Sequence, residues 1–407
     1  MFHPSARPAR RVAATLSCAQ AFVAAGAAAQ SPEPVAAMVA RDLQAAATQY
    51  GGLLERVRAR PGFPRTVEHG DVKTVGPLDW TSGFFPGSLW YLYEATGDAK
   101  WRSAATRYTA ETAPAKFDKT QHDLGFMLGS GYGNGLRLTG DPAYRDAMLA
   151  GATTLLTRFN PKVGSIQSWD LWPNSTWAFP VIIDNMMNLE MLMWAARVSG
   201  EGRYREVAIA HADTTLKNHF RPDGSSYHLV DYDPQTGAIR ARVTVQGDAD
   251  ASAWARGQAW GLYGFTMMYR ETKKEAYLRQ AQKIAAFYMR HPRLPADKVP
   301  YWDFDDRAIP QAPRDVAAAA IASSALLELA GFSDAALARG YRDFAVETLR
   351  SLSSPAYLAA PGANGGFLLM HATGHKPAGK EIDAPLNYAD YYFLEALLRL
   401  KPAQPMP

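Results

Sequence analysis

A joint that recurs along the chain constrains the fold more than any other feature. A turn residue and an acid are followed by an aromatic residue and an arginine in Thr96-Gly97-Asp98 with Trp101-Arg102, and again in Thr139-Gly140-Asp141 with Tyr144-Arg145. The pattern returns in Ser199-Gly200-Glu201 with Tyr204-Arg205, and more faintly around Tyr277 and Asp334. Glycine followed by an acid is how one helix stops and the next is capped. On both sides of the joints apolar residues return every three or four positions, as in Met186, Leu189, Met193 and Ala196. The joint is therefore a helix–turn–helix unit used over and over, and such a chain must stack helical pairs.

Helices are expected near 35–59, 83–96, 99–117, 124–138, 142–158, 184–198, 202–219, 252–271, 275–290, 315–330, 334–352 and 387–399. Paired in this way they predict an all-α protein, an (α/α)6 barrel with six inner and six outer helices. An open solenoid is the alternative. Its binding face would not need the long irregular connections at 60–82, 159–183, 220–251, 292–314 and 353–386. Each of these five connections precedes an even-numbered helix, and the even-numbered helices start near Gly83, Asp123, Asp184, Ser252, Asp315 and Asn387. In a closed barrel these starts meet at one mouth, where a deep, acidic and aromatic-lined pocket is expected.

Residues 1–29 read as a secretory signal. Arg7, Arg10 and Arg11 precede a small apolar run, and Ala27-Ala28-Ala29 offers a cleavage site before Gln30. The expected location is periplasmic or secreted, with no membrane association after removal of the signal, and a single domain is expected over residues 30–407. The chain carries 43 Lys and Arg against 39 Asp and Glu. Three of the positive charges lie in the leader, so the rest is nearly neutral and nucleic acid is not expected as a partner. The one cysteine, Cys18, is also in the leader, which excludes a disulfide framework. A monomer or weak dimer is expected.

Two helices at the mouth open with an acid, in His122-Asp123-Leu124-Gly125-Phe126 and Ile183-Asp184-Asn185-Met186. A carboxylate at a helix start is ordinarily an N-cap. Here Val181-Ile182-Ile183 and Leu124 flank the acids with apolar residues, which favours partial burial. Burial and a second carboxylate both raise a carboxyl pKa and keep the acid protonated near neutral pH. Two facing carboxyls are the minimum equipment for acid–base work on a glycoside.

Trp80, Trp90, Trp169, Trp172, Trp254 and Trp260 fall near the same mouth, where an indole can stack on a pyranose, although a helical tryptophan such as Trp90 is more often core. Arg256, beside Gly257, suits a carboxylate or a sulfate, with a buried ion pair as the alternative. Gln246 and His228 lie on the 220–251 connection; a lone loop histidine is ordinarily only exposed. No HExxH-type pair, phosphate-binding loop or serine elbow is present, so neither a metal nor a cofactor is expected.

Longer strings then resemble glycoside hydrolase family 88. They are Trp80-Thr81-Ser82-Gly83-Phe84-Phe85-Pro86-Gly87, the Asp123 and Asp184 segments, Trp254-Ala255-Arg256-Gly257-Gln258-Ala259-Trp260, Pro300-Tyr301-Trp302-Asp303-Phe304-Asp305 and Asn387-Tyr388-Ala389-Asp390-Tyr391-Tyr392. The resemblance implies an α/α six-fold barrel and an unsaturated glucuronyl hydrolase acting on oligosaccharides left by polysaccharide lyases. It implies Asp184 as general acid/base and Asp123 as the second essential carboxylate. It also implies a sugar subsite that includes Trp80, His122, Trp169, His228, Gln246, Arg256 and Trp260, with His371–Lys376 bordering the next sugar. A related family that removes unsaturated galacturonate from rhamnogalacturonan fragments on the same barrel is the nearest alternative. A non-catalytic sugar-binding protein is another.

Overall fold

The structure, a computed structural model, describes residues 33–401. The leader read at residues 1–29 lies outside the described residues. Twelve α-helices follow in order: α1 (Val35–Val57), α2 (Phe84–Thr96), α3 (Ala99–Glu111), α4 (Asn134–Thr139), α5 (Pro142–Leu156) and α6 (Leu189–Ser199). Then come α7 (Gly202–Asn218), α8 (Ala255–Thr272), α9 (Glu275–Arg290), α10 (Val316–Ala330), α11 (Ala335–Leu352) and α12 (Asn387–Leu400).

Burial sorts them into two layers. α8 is buried without a break from Ala255 to Met268, and α10 from Val316 to Leu326, as only a helix surrounded by protein can be. α9 and α11 bury one face each, at residues such as Tyr277, Ala281, Ile284 and Tyr288. The inner helices form a closed ring: α2 packs on the helix ending in α4, that on α6, then α8, α10 and α12, and α12 returns to α2. Each inner helix is backed by an outer one (α3, α5, α7, α9, α11 and α1). This closure is the barrel expected from the repeat, and it excludes the open solenoid.

The recurring joint has one structure. The Thr96 hydroxyl donates to the Leu92 carbonyl and accepts from the Asp98 N–H, and Thr139 and Ser199 repeat both bonds at their joints. Gly97 takes the left-handed conformation (φ 70°) that ends α2 without a side-chain clash. Asp98 and Asp141 then cap the next helix through the N–H of Lys100 and Ala143. The following aromatics, Trp101, Tyr144 and Tyr204, are buried. At the Tyr277 joint Lys273 takes the left-handed position (φ 56°).

Three boundaries differ from the sequence reading. α3 stops at Glu111 and a 3-10 turn covers Ala113–Phe117, where Pro114 has no N–H to continue an α-helix. The fourth helix begins as a wide π turn over Gly125–Gly133, rich in glycine, before tightening into α4. Asp184 stands in a 3-10 turn, Ile183–Met187, that leads into α6.

The long connections are not irregular throughout. They carry the hairpins β1 (Phe63–Glu68) with β2 (Asp71–Val75) and β3 (Phe159–Asn160) with β4 (Ser165–Ile166). A three-stranded antiparallel sheet joins β5 (Pro180–Ile182), β6 (Leu229–Tyr232) and β7 (Ile239–Val243), and β8 (Ala372–His375) pairs with β9 (Lys380–Ala384). All of this lies at the mouth, as a collar over the starts of the inner helices. Among the described residues no helix is long and apolar enough to cross a membrane.

Candidate active site

The collar sheet places the first functional pair. β5 pairs with β6 so that Ile182 faces Leu229, and the next step bonds the Ile183 N–H to the His228 carbonyl (3.0 Å). Asp184 therefore comes beside His228, whose Nε2 lies 3.8 Å from Asp184 Oδ2. His228 Nδ1 accepts the N–H of Val245 (2.9 Å) and of Gln246 (3.3 Å), so the ring proton sits on Nε2, facing the carboxyl. Burial holds His228 down at about 3, which leaves it neutral. Asp184 is 8% exposed, and burial pushes it up to about 7, against the opposing pull of the Arg256 charge.

Asp123 is held at the neighbouring helix start. His122 Nε2 is 3.2 Å from its Oδ1, and Asn188 Nδ2 approaches the same oxygen at 3.5 Å. Asn188 ends the turn that carries Asp184, and its Oδ1 accepts the Phe126 N–H (3.1 Å). It ties the two acid-bearing starts together. Burial raises Asp123 well above the usual carboxyl range, and the Asp184 charge raises it further. Burial also keeps His122 neutral. Neither carboxylate caps its helix: no side-chain cap bond forms at either start, in contrast to Asp98, Asp141, Asp315 and Asp334. The ordinary N-cap reading does not hold here.

Arg256 is in the buried ion pair weighed as an alternative. Nη1 meets Asp315 Oδ2 at 2.9 Å, both side chains are fully buried, and the terminal nitrogens also donate to the carbonyls of Thr373 and Gly374. Its guanidinium lies between the rings of Trp254 and Tyr388. Arg256 thus fastens the β8 hairpin over the mouth and sets the field at Asp184. Gln246 stays half-buried and reaches the Gly374 carbonyl (3.4 Å).

The tryptophans divide. Trp80 is half-buried against Phe84, Phe126 and Tyr388. Trp169 lies on the connection before β5, bridged to Gln121 and grouped with Trp172 and Trp177. Trp260 is fully buried against Phe126 and Tyr392, so it shapes the wall and presents no face to a sugar. Trp90 is core, its Nε1 bonded to Thr109. Sequence reasoning missed Asn188, Asp315 and Tyr388 as members of the site. The four-residue step from Asp184 to Asn188 was the one available signal.

Buried polar atoms without a protein partner gather here, among them Asp184 Oδ2, His228 Nε2, Trp169 Nε1 and the Tyr388 hydroxyl. Such atoms are normally paired, and a ligand rich in hydroxyls would pair them. Among the described residues no three His, Cys, Asp or Glu side chains converge to hold a metal ion. A cavity of about 650 Å³ opens at the opposite end of the barrel, not at the mouth where the sequence predicts the deep pocket, and is lined by Tyr91, Trp194, Tyr263 and Glu395. Its acids are paired, Glu94 with Arg137, Glu190 with Arg270 and Glu395 with Arg399, so it holds no free acid for catalysis.

Residues 59–299 match the family model described as Glycosyl Hydrolase Family 88. The chain belongs to this family. It is 47% identical over 340 residues to an unsaturated glucuronyl hydrolase of Formosa agariphila, covering 83% of this chain and 84% of that one. An unsaturated chondroitin disaccharide hydrolase of Streptococcus agalactiae is 32% identical, covering 80% and 82%. A crystal structure of an unsaturated glucuronyl hydrolase specific for heparin superposes with a TM-score of 0.85 at 48% identity, covering 89% of this chain and 96% of that one.

Proposed function

We propose that this chain removes 4,5-unsaturated glucuronic acid from the non-reducing end of lyase-generated oligosaccharides, by hydration of the C4=C5 double bond. The observation that carries the reading is Asp184, a buried carboxyl that keeps its proton up to about pH 7 beside a neutral His228 and a second acid. A general acid works best with a pKa near the working pH. Asp184 gives its proton to C4, positive character develops at C5, and the Asp184 carboxylate then takes a proton from the water that adds there. The resulting hemiketal opens and releases the remaining sugar. Asp123, which burial and the neighbouring Asp184 also raise above the usual carboxyl range, binds the ring hydroxyls and does not shuttle a proton. His228 Nε2–H and Asp184 Oδ2, 3.8 Å apart and both without a hydrogen-bond partner in the protein, are left free to bind the substrate, and Trp80 and Trp169 offer faces to the sugar.

The names of the relatives favour glucuronate over the galacturonate of rhamnogalacturonan fragments, and the paired acids argue against a protein that only binds sugar. The same reading takes the protein as a monomer or weak dimer. The leader reading adds export to the periplasm or beyond. The test is incubation with unsaturated disaccharides of different origin, following the ultraviolet absorbance of the conjugated uronate. Loss of absorbance with the glucuronate substrates supports the reading. Loss with unsaturated rhamnogalacturonan fragments alone would replace it with the galacturonate reading.

A further inference from the structure

We infer that Trp172 is the platform for a sugar beyond the one joined to the unsaturated uronate, so that this chain favours oligosaccharides longer than a disaccharide. The inference rests on the glycosidase reading above. Of the ten tryptophans, Trp172 alone is exposed, at 54%. Yet its ring is held in a fixed orientation. It lies within 15° of parallel to Trp169, with centroids 6.5 Å apart, and meets Trp177 edge-on at 5.3 Å.

The connection that carries it is fastened at both ends. His122 N–H donates to the Ser168 carbonyl (2.9 Å) and Asp170 N–H to the Thr120 carbonyl (2.8 Å). Beyond Trp172, the N–H groups of Ala178 and Phe179 both donate to Asp231 Oδ1. The row of rings therefore starts at Trp169, beside the His122–Asp123 step, and runs outward into solvent at Trp172.

Leu171, next to it, is 41% exposed, and Leu78, whose carbonyl accepts from Gln121 Nε2, is 48% exposed; the one acid beside them, Asp170, is paired with Arg158. An indole recognises the C–H face of a pyranose and needs no charge to do so. The feature recognised at Trp172 is thus a sugar ring face and not a carboxylate or sulfate. Continuity with Trp169 makes the next sugar of the same substrate its occupant, in preference to a second copy of the chain.

The test compares kcat/KM of the wild type and of Trp172→Ala on an unsaturated disaccharide and an unsaturated tetrasaccharide from one polymer. The tetrasaccharide-to-disaccharide ratio should fall about 3- to 10-fold, mainly through KM, which is the range expected for one lost aromatic stacking contact. Trp172→Phe should restore most of it. Tetrasaccharide binding to the inactive Asp184→Asn protein, read by tryptophan fluorescence, should weaken to a similar extent on adding Trp172→Ala. An unchanged ratio and unchanged binding overturn the platform and leave the glycosidase reading standing. Turnover of neither substrate by the wild type overturns the glycosidase reading, and the binding measurement then decides on the platform alone. A change of oligomeric state in Trp172→Ala with the ratio unaltered would make the rim a contact between copies and also overturn the proposal.

Discussion

Asp184 differs from an ordinary surface carboxylate chiefly in how little water reaches it. Desolvation outweighs the nearby Arg256 charge and lifts the acid to about 7. Asp184→Asn keeps the shape and most hydrogen bonds but has no proton to give, so activity should fall by at least about 10²–10⁴-fold with the helical circular dichroism unchanged. In the wild type the proton is present below the raised pKa, so activity should decline as pH rises through about 7. Asp123 is the other acid of an interacting pair: burial and the Asp184 charge raise its pKa as well. Asp123→Asn should lose activity, and without a neighbouring carboxyl that can carry charge the Asp184 pKa should fall, so the alkaline limb of the residual pH profile should move to lower pH. A limb that keeps the wild-type position would show that Asp123 carries no charge while Asp184 titrates.

Two glycines of α2 separate what its ends do. Gly97 closes α2 in a left-handed turn with open space around it, so Gly97→Ala should cost about 1 kcal/mol from conformation alone. Gly83 opens α2 at the mouth, where an added Cβ would meet the carbonyl oxygens of Phe126 and Met127 on the next inner helix. Gly83→Ala should cost about 1–3 kcal/mol as overpacking and also reduce activity, because it displaces the start that carries Asp123. Denaturant titration together with kcat/KM checks both, and equal effects on activity would contradict this division of the helix. The joint at Gly97 was legible in the sequence because all its partners lie within four or five residues. The collar was not, because β5 and β6 pair residues near 181 with residues near 230 and no local pattern records that register. For the same reason His228 reads in the sequence as an exposed loop histidine and in the structure is buried beside Asp184.

At the scale of the whole molecule, the inner helices that close the barrel also remove water from the acids at its mouth, so catalysis and stability are linked through one proton. The paired acids and their apolar flanks were visible in the sequence, whereas the Arg256–Asp315 pair joins α8 to α10 through residues 59 apart and was not. An unfolded chain ionises Asp184 near the ordinary carboxyl value of about 4. The folded protein holds the proton to about 7. Between those values only the folded state binds it, so this group's contribution to stability is full below the lower value and is lost as pH rises through the upper one. Asp184→Asn cannot ionise and lacks this dependence. The stability of the wild type relative to Asp184→Asn should therefore decrease by about 1.4 kcal/mol per pH unit between roughly pH 4 and 7, and level off above. Paired denaturant titrations across that range measure the difference without any substrate. A difference that stays constant with pH would show that Asp184 is ionised throughout, and would remove the proton that the hydration step requires.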